Sequence, residues 1–280
     1  MYTVDTEGRD IVTNFIQTFE RDIIKTYRKE LWSRFIKGIK KYNLIEAGDK
    51  VAIAISGGKD SLLMAKLFQE LKRHPIMDFD IEFISMDPGF NEINLQLLQE
   101  NTAKLGIPLN LEQSNIFRVA GTIAQEYPCY ICARMRRGFL YNMAKERGCN
   151  KLALGHHYND IIETTMMNIL YSGTIRTMLP KVPSENFEDM ELIRPMCLIK
   201  EEDIIKIMKN NQIETMDCGC EIHACSVSSK RQRVKQLIHT LETETDGVEK
   251  NIFRSMENVD LDGIIGWVED KQRSNRYTKK

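Results

Sequence analysis

Over residues 10–42 the apolar side chains Ile11, Phe15, Phe19, Ile23, Tyr27, Leu31, Phe35 and Ile39 recur every four positions. That period lays one apolar stripe along a helix and predicts a long amphipathic helix, or two with a break. Glu46-Ala47-Gly48-Asp49 reads as a turn, and the pattern then changes. Residues 51–55 (Val-Ala-Ile-Ala-Ile) form a short β-branched run typical of a buried parallel strand. Leu62, Leu63, Ala65, Leu67, Phe68 and Leu71 mark a helix after it. Residues 81–86 read as a second strand, ended by Asp87-Pro88-Gly89. Leu95, Leu98, Ala103 and Leu105 mark a helix stopped by Gly106 and Pro108. Residues 109–111 are a weaker third strand and 151–155 a fourth, before a helix starting near Asn159. Residues 190–193 are a fifth strand. Strands alternating with helices predict an α/β fold, a parallel sheet with helices on both faces. The expected organisation is an N-terminal helical segment (1–47), a central domain (48–245), and a C-terminal helix with a basic tail (246–280).

The 280 residues are 42% hydrophobic and 28% charged, enough for a sizeable core. No apolar run reaches the ~18–20 residues of a membrane helix, and the N-terminus shows no basic-then-apolar leader, so the expectation is a cytoplasmic protein with no membrane partner. A net charge of −1 leaves a nucleic-acid partner open. Basic residues cluster at Arg134, Arg136 and Arg137, at Lys230, Arg231, Arg233 and Lys235, and from 271 to 280. Charge runs are usually solvated faces, so these gain weight only from neighbouring chemistry.

That chemistry starts at the end of the first strand, where Ser56-Gly57-Gly58-Lys59-Asp60-Ser61 leads into a helix. The glycine pair lets backbone N–H groups approach an anion, and the helix N-terminus adds unpaired donors and partial positive charge. Lys59 and the hydroxyls of Ser56 and Ser61 extend the cradle. The spacing fits neither the Walker A loop nor the dinucleotide glycine motif. The hexapeptide resembles the pyrophosphate loop of the N-type ATP pyrophosphatases, which cleave ATP between its α and β phosphates. A plain turn with incidental glycines is the weaker alternative, because all six residues stand in a strand–loop–helix context. Ligands of such sheets bind at the carboxyl ends of strands. Met86 and Asp87, and Gly155, His156 and His157, should therefore converge on the loop, with backbone groups around Met86 as candidates for adenine recognition.

Seven cysteines in a cytoplasmic chain favour metal or redox chemistry over disulfides. Cys129 and Cys132 form a C-x-x-C, Cys218, Cys220 and Cys225 form a second group, and Cys149 and Cys197 read as core. Spacing alone is equally compatible with a structural zinc and an iron–sulfur cluster.

Three stretches narrow the reading: Pro128-Cys129-Tyr130-Ile131-Cys132-Ala133-Arg134-Met135-Arg136-Arg137-Gly138; Gly155-His156-His157-Tyr158-Asn159-Asp160; and Asp217-Cys218-Gly219-Cys220 followed by Ser229-Lys230-Arg231-Gln232-Arg233. With the loop, they resemble the tRNA 2-thiocytidine synthetase family, from about residue 48 to 238. The resemblance implies an adenine nucleotide α-hydrolase-like domain and ATP-dependent thiolation of an anticodon-loop cytidine. It implies ATP, Mg²⁺ and a [4Fe-4S] cluster as cofactors. Cys129, Cys132 and Cys218 (or Cys220) would hold the cluster, leaving one iron open to carry sulfide. Ser56, Gly57, Gly58, Lys59, Asp60, Ser61, Met86, Gly155 and His156 would bind nucleotide, and Lys59, Asp60 and Asp160 would be catalytic. The partners implied are tRNA and sulfide or a sulfur-donor protein such as a cysteine desulfurase, with a homodimer as an allowed assembly. Asn159 departs from the acidic residue usual there, leaving Asp160 as the carboxylate. Adjacent His156 and His157 point differently, so one packs while the other faces phosphate. Helix-cap roles compete with magnesium at Asp60 and Asp160. Arg134, Arg136 and Arg137 fan around a helix expected to start near Cys132. Tyr127, Tyr130, Tyr158 and Tyr171 are candidates for base stacking, against the commoner role of core packing. The alternatives are a related enzyme modifying another nucleoside with a structural zinc, and a non-catalytic nucleotide- or RNA-binding metal sensor.

Overall fold

Strand β1 (Lys50–Ala54) lies at the centre of a six-stranded sheet with β2 (Asp80–Asp87), β3 (Asn110–Gln113), β4 (Lys151–Ala153), β5 (Lys181–Pro183) and β6 (Glu191–Ile193), in the order β3-β2-β1-β4-β6-β5. This computed structural model describes residues 6–123, 128–216, 226–269 and 272–275. Five strands are parallel, as their alternation with helices predicts, and β5 is antiparallel to β6. The sequence pattern did not mark β5. Its three residues show no period, and its Pro183 suits a sheet edge. Chain order reverses at β1, which has β2 on one side and β4 on the other, so a crevice forms at their carboxyl ends.

Alternation along β1 assigns its two faces. Val51, Ile53 and Ile55 join a core with Leu62, Leu63 and Phe68 of α3 (Lys59–Arg73) and Ile204 and Ile207 of α8 (Glu201–Asn210). Ala52 and Ala54 turn the other way, with Ile84, Met86, Leu152 and Leu192, against Tyr141, Met143 and Ala144 of α6 (Pro128–Glu146). Small residues on the second face of β1 let α6 lie close.

The expected N-terminal helical segment is present. It comprises α1 (Thr6–Arg21), two wide-turn segments (Asp22–Thr26 and Arg28–Trp32) that meet at Tyr27 (φ −107°, ψ 25°), and α2 (Ser33–Lys41). Phe19, Ile23, Leu31, Phe35 and Ile39 of its stripe are buried, and Phe35 meets Phe68 edge-on at 5.4 Å. A buried ion cluster also joins it to α3. Lys66 Nζ, fully buried, donates to Glu20 Oε1 at 2.6 Å and to the Leu105 carbonyl at 2.9 Å. Burial pushes the Lys66 ammonium below the ordinary lysine value, against the pull of Glu20.

Helices α4 (Glu92–Lys104) and α5 (Ile116–Ile123) flank β3 in the chain, and α7 (Tyr158–Met167) follows β4. Helix α6 starts at Pro128 rather than near Cys132. Proline suits a first helical position, because its missing N–H would be unpaired there anyway.

The chain divides into two compact units, Met1–Ile161 with Met178–Ser229, and Ile162–Thr177 with Lys230–Lys280. The first holds the sheet. The second holds most of α9 (Ser226–Glu244), α10 (Val248–Ser255) and a hairpin of β7 (Gly266–Glu269) and β8 (Gln272–Asn275). Within the second unit Arg231 Nε lies 3.5 Å from Glu163. Among the described residues, no helix is long and apolar enough to cross a membrane.

Candidate active site

The loop leaves β1 at Ile55, whose N–H donates to the Ile84 carbonyl, and it ends in α3. Gly57 takes φ +83°, a conformation that glycine reaches without strain. Gly58 is the extended N-cap of α3. Ser61 ties the loop into a closed turn: its Oγ accepts from the Ser56 N–H at 3.1 Å and donates to the Gly58 carbonyl at 2.9 Å. Gly155 comes from the end of β4. A Cβ there would meet Asp60 C and Ser61 N at 3.2 Å, so glycine is what lets β4 abut the first turn of α3.

Charges surround this cradle. Lys59 Nζ is 3.2 Å from Asp60 Oδ2 and 3.2 Å from Glu201 Oε1 on α8. Burial opposes its charge, yet Asp60 and Glu201 hold the ammonium above the ordinary lysine value. The buried His157 stands between two carboxylates, with Nε2 3.9 Å from Asp60 Oδ1 and 3.5 Å from Asp160 Oδ2. Asp160 Oδ2 also accepts from the His157 N–H at 3.0 Å, capping the first turn of α7. Burial and the charge of Asp160 push the Asp60 carboxyl up, against His157 and Lys59, and its Oδ1 is buried without a hydrogen-bond partner. The histidine that meets these carboxylates is therefore His157, while His156 is half-buried beside it.

Asn159 has a definite job: its Oδ1 accepts from the Glu201 N–H at 3.0 Å and so fixes the start of α8 that carries Glu201 toward Lys59. Sequence reasoning missed Glu201. Its only trace is the acidic first turn Glu201-Glu202-Asp203, which any helix N-terminus would favour. Strand β2 continues past Ile84, its last residue paired with β1, so Ser85, Met86 and Asp87 overhang the loop. The Met86 side chain is buried in the α6-side core. Asp87 Oδ1 accepts from the N–H groups of Gly89 and Phe90 and holds that turn.

Cys129 and Cys132 are the second and fifth residues of α6, three positions apart and so at positions of one helix face. The far end of α6 adjoins the start of β1, where the Asn150 N–H donates to the Lys50 carbonyl. Running antiparallel to the strands, α6 begins at the carboxyl edge that carries the loop. The Cys129 side chain and residues Cys218, Cys220, Cys225 and Tyr127 lie outside the described residues. Among the described residues no three His, Cys, Asp or Glu side chains are already arranged to hold one metal ion. Cys149 and Cys197 are buried, and burial pushes the Cys149 thiol up to about 11, which keeps it unreactive. Tyr158 is buried, whereas Tyr171 is exposed with Lys230 Nζ 5.3 Å above its ring.

The PP-loop domain family matches residues 28–217. A tRNA-cytidine(32) 2-sulfurtransferase of Geotalea uraniireducens is 34% identical over 232 residues, covering 81% of this chain and 90% of that one. The chain belongs to the PP-loop family of tRNA-cytidine(32) 2-sulfurtransferases. A second such 2-sulfurtransferase, from Geotalea daltonii, is 33% identical over 234 residues and covers 82% and 92% of the two chains. Among solved structures, the U34-tRNA thiolase NcsA of Methanococcus maripaludis, with its [4Fe-4S] cluster, shares the fold. The TM-score is 0.62 at 22% identity, covering 88% of this chain and 79% of that one. The resemblance read from the loop, the C-x-x-C and the His-His segment thus points to the family to which the chain belongs.

Proposed function

We propose that this protein uses ATP to activate a cytidine of tRNA, at position 32 as in its named relatives, and replaces the 2-oxygen with sulfur. What carries this reading is the meeting of the Ser56–Ser61 loop with Lys59, Asp60, His157 and Asp160 at one sheet edge, in a member of this sulfurtransferase family. Loop N–H groups and Lys59 would take the β and γ phosphates, with Gly155 and His156 beside them and backbone around Met86 toward adenine. The cytidine O2 attacks the α phosphorus, and the bond to the β-phosphate oxygen breaks. Pyrophosphate then leaves with the electron pair into preorganised donors. Sulfur bonds C2, the C2–O bond breaks, and AMP leaves.

The buried, unpartnered Asp60 Oδ1 fits Mg²⁺, a cation that takes oxygen ligands shared with phosphates. Asp60 and Asp160 would hold it. The C-x-x-C at the start of α6 fits thiolate ligation of a [4Fe-4S] cluster, with Cys218 or Cys220 as third ligand. When bound, such a cluster supplies an iron free of thiolate at which sulfide can be held. The sulfide would come directly or from a donor such as a cysteine desulfurase.

The test is anaerobic purification followed by assays for iron, acid-labile sulfide, and AMP and pyrophosphate release with tRNA. About four irons and four sulfides per chain are expected, lost in Cys129→Ala and Cys132→Ala, and whichever of Cys218→Ala and Cys220→Ala loses them names the third ligand. Release should require tRNA and leave 2-thiocytidine in it. One zinc without sulfide, or nucleotide binding without release, would overturn the proposal.

A further inference from the structure

Arg194 is the residue after β6, at the same carboxyl edge as the loop. It shares the parity of Leu192, which faces α6, whereas Ile193 faces α3. Its side chain is therefore directed to the α6 side of the edge. Only 9% of Arg194 is exposed, an unusual depth for a guanidinium. Its Nη1 donates to the Leu179 carbonyl, and its Nε is buried with no hydrogen-bond partner. Arg137 on α6 disfavours its charge and Asp160 favours it. Burial, with Arg137 second, lowers its pKa to about 10.

Burying a cation beside a second cation, with a donor left unpaired, costs stability. Both costs reverse when an anion enters, since a guanidinium binds phosphate through two parallel N–H bonds. Arg137 stands one helical turn before Tyr141, the α6 residue clustered with Leu192, so it lies on the same face of α6, nearer the carboxyl edge at which Arg194 leaves β6. The pair is thus set at the carboxyl edge that carries the loop, on the α6 face of the sheet, whereas Glu201 is on α8 of the other face.

We propose that Arg194 and Arg137 form a second phosphate subsite next to the pyrophosphate loop, and that its occupant is the α-phosphate of ATP, which leaves as the phosphate of AMP. This rests on the ATP-dependent function proposed above. The loop takes the departing pyrophosphate, and the two arginines hold the phosphate that stays on the base until the C2–O bond breaks.

The experiment is equilibrium binding of AMP, adenosine and inorganic pyrophosphate to the full chain, its Arg194→Gln variant and its Arg137→Gln variant, with tRNA binding measured in parallel. Arg137 is exposed, so its variant should fold even if Arg194→Gln does not. Losing a charged hydrogen bond should weaken AMP about ten- to a hundredfold in Arg194→Gln and by less in Arg137→Gln. Adenosine and pyrophosphate affinities should stay unchanged. Unchanged AMP affinity in both variants would overturn the subsite, as would an equal loss for AMP and adenosine. A loss confined to tRNA would give the arginines to an RNA backbone phosphate and overturn the nucleotide assignment. If the unsubstituted chain binds neither AMP nor pyrophosphate, the ATP reading itself fails, a result distinct from the others.

Discussion

The N–H of Met216 donates to the Gly57 carbonyl at 3.3 Å, and a Cβ on Gly57 would fall 2.4 Å from the Met216 sulfur. Met216 stands two residues before Cys218 in the chain. The phosphate loop and the stretch leading to the second cysteine group are therefore joined through backbone and side chain. Gly57→Ala should be poorly tolerated on two counts, the positive φ and the sulfur contact. The expected cost is about 1–3 kcal/mol of stability, with larger loss of tRNA-dependent pyrophosphate release. Denaturant unfolding and the release assay check the two parts separately. Full stability in Gly57→Ala would contradict the packing described.

Lys59 is placed by Glu201, and Glu201 by Asn159. Glu201→Gln keeps the shape but removes one of the two carboxylates that hold the ammonium. KM for ATP should rise by on the order of tenfold, with kcat less affected. Asn159→Ala should act in the same direction through the start of α8. Asn159→Asp retains the acceptor and should stay near normal. Initial-rate kinetics across ATP concentrations decide this.

Asp60 predicts a trade between stability and activity. Burial, with Asp160 adding to it, raises its folded-state pKa above the unfolded value. The folded protein therefore holds a proton that the unfolded chain releases. Stability falls as pH rises through that window, and the ionised carboxylate is a cost at neutral pH. Asp60→Asn should raise Tm by a few degrees at pH 7 and remove turnover. The gain should shrink as pH falls toward the ordinary carboxylate range. Thermal melts across that pH range test it, and a gain that grows on acidification would reverse the sign.

The Lys66–Glu20 pair tests how firmly the N-terminal helices belong to the core. Glu20→Ala leaves the buried Lys66 ammonium without its carboxylate and should cost about 3–5 kcal/mol. Replacing both, as Glu20→Leu with Lys66→Met, should recover much of that loss, because no uncompensated charge then remains. Chemical denaturation of the single and double variants measures the difference.

Features carried by neighbouring residues were legible in the sequence alone: the four-residue period of the N-terminal helices, the β-branched run of β1, and the loop whose glycines and hydroxyls need only local geometry. The C-x-x-C was also local, and one helical turn puts both positions on one face. Tertiary structure decided what depends on strand order and facing. His157, rather than His156, meets Asp60 because a one-residue step turns a side chain to another direction. Glu201 reaches Lys59 only because α8 packs against α3, across 142 positions of chain, which no local pattern encodes. Arg194 reads in the sequence as an ordinary charge before a proline. It becomes a buried cation because β6 pairs with β4 and turns that position toward α6. Periodicity reports which residues seek burial, and the sheet's order determines which of them meet.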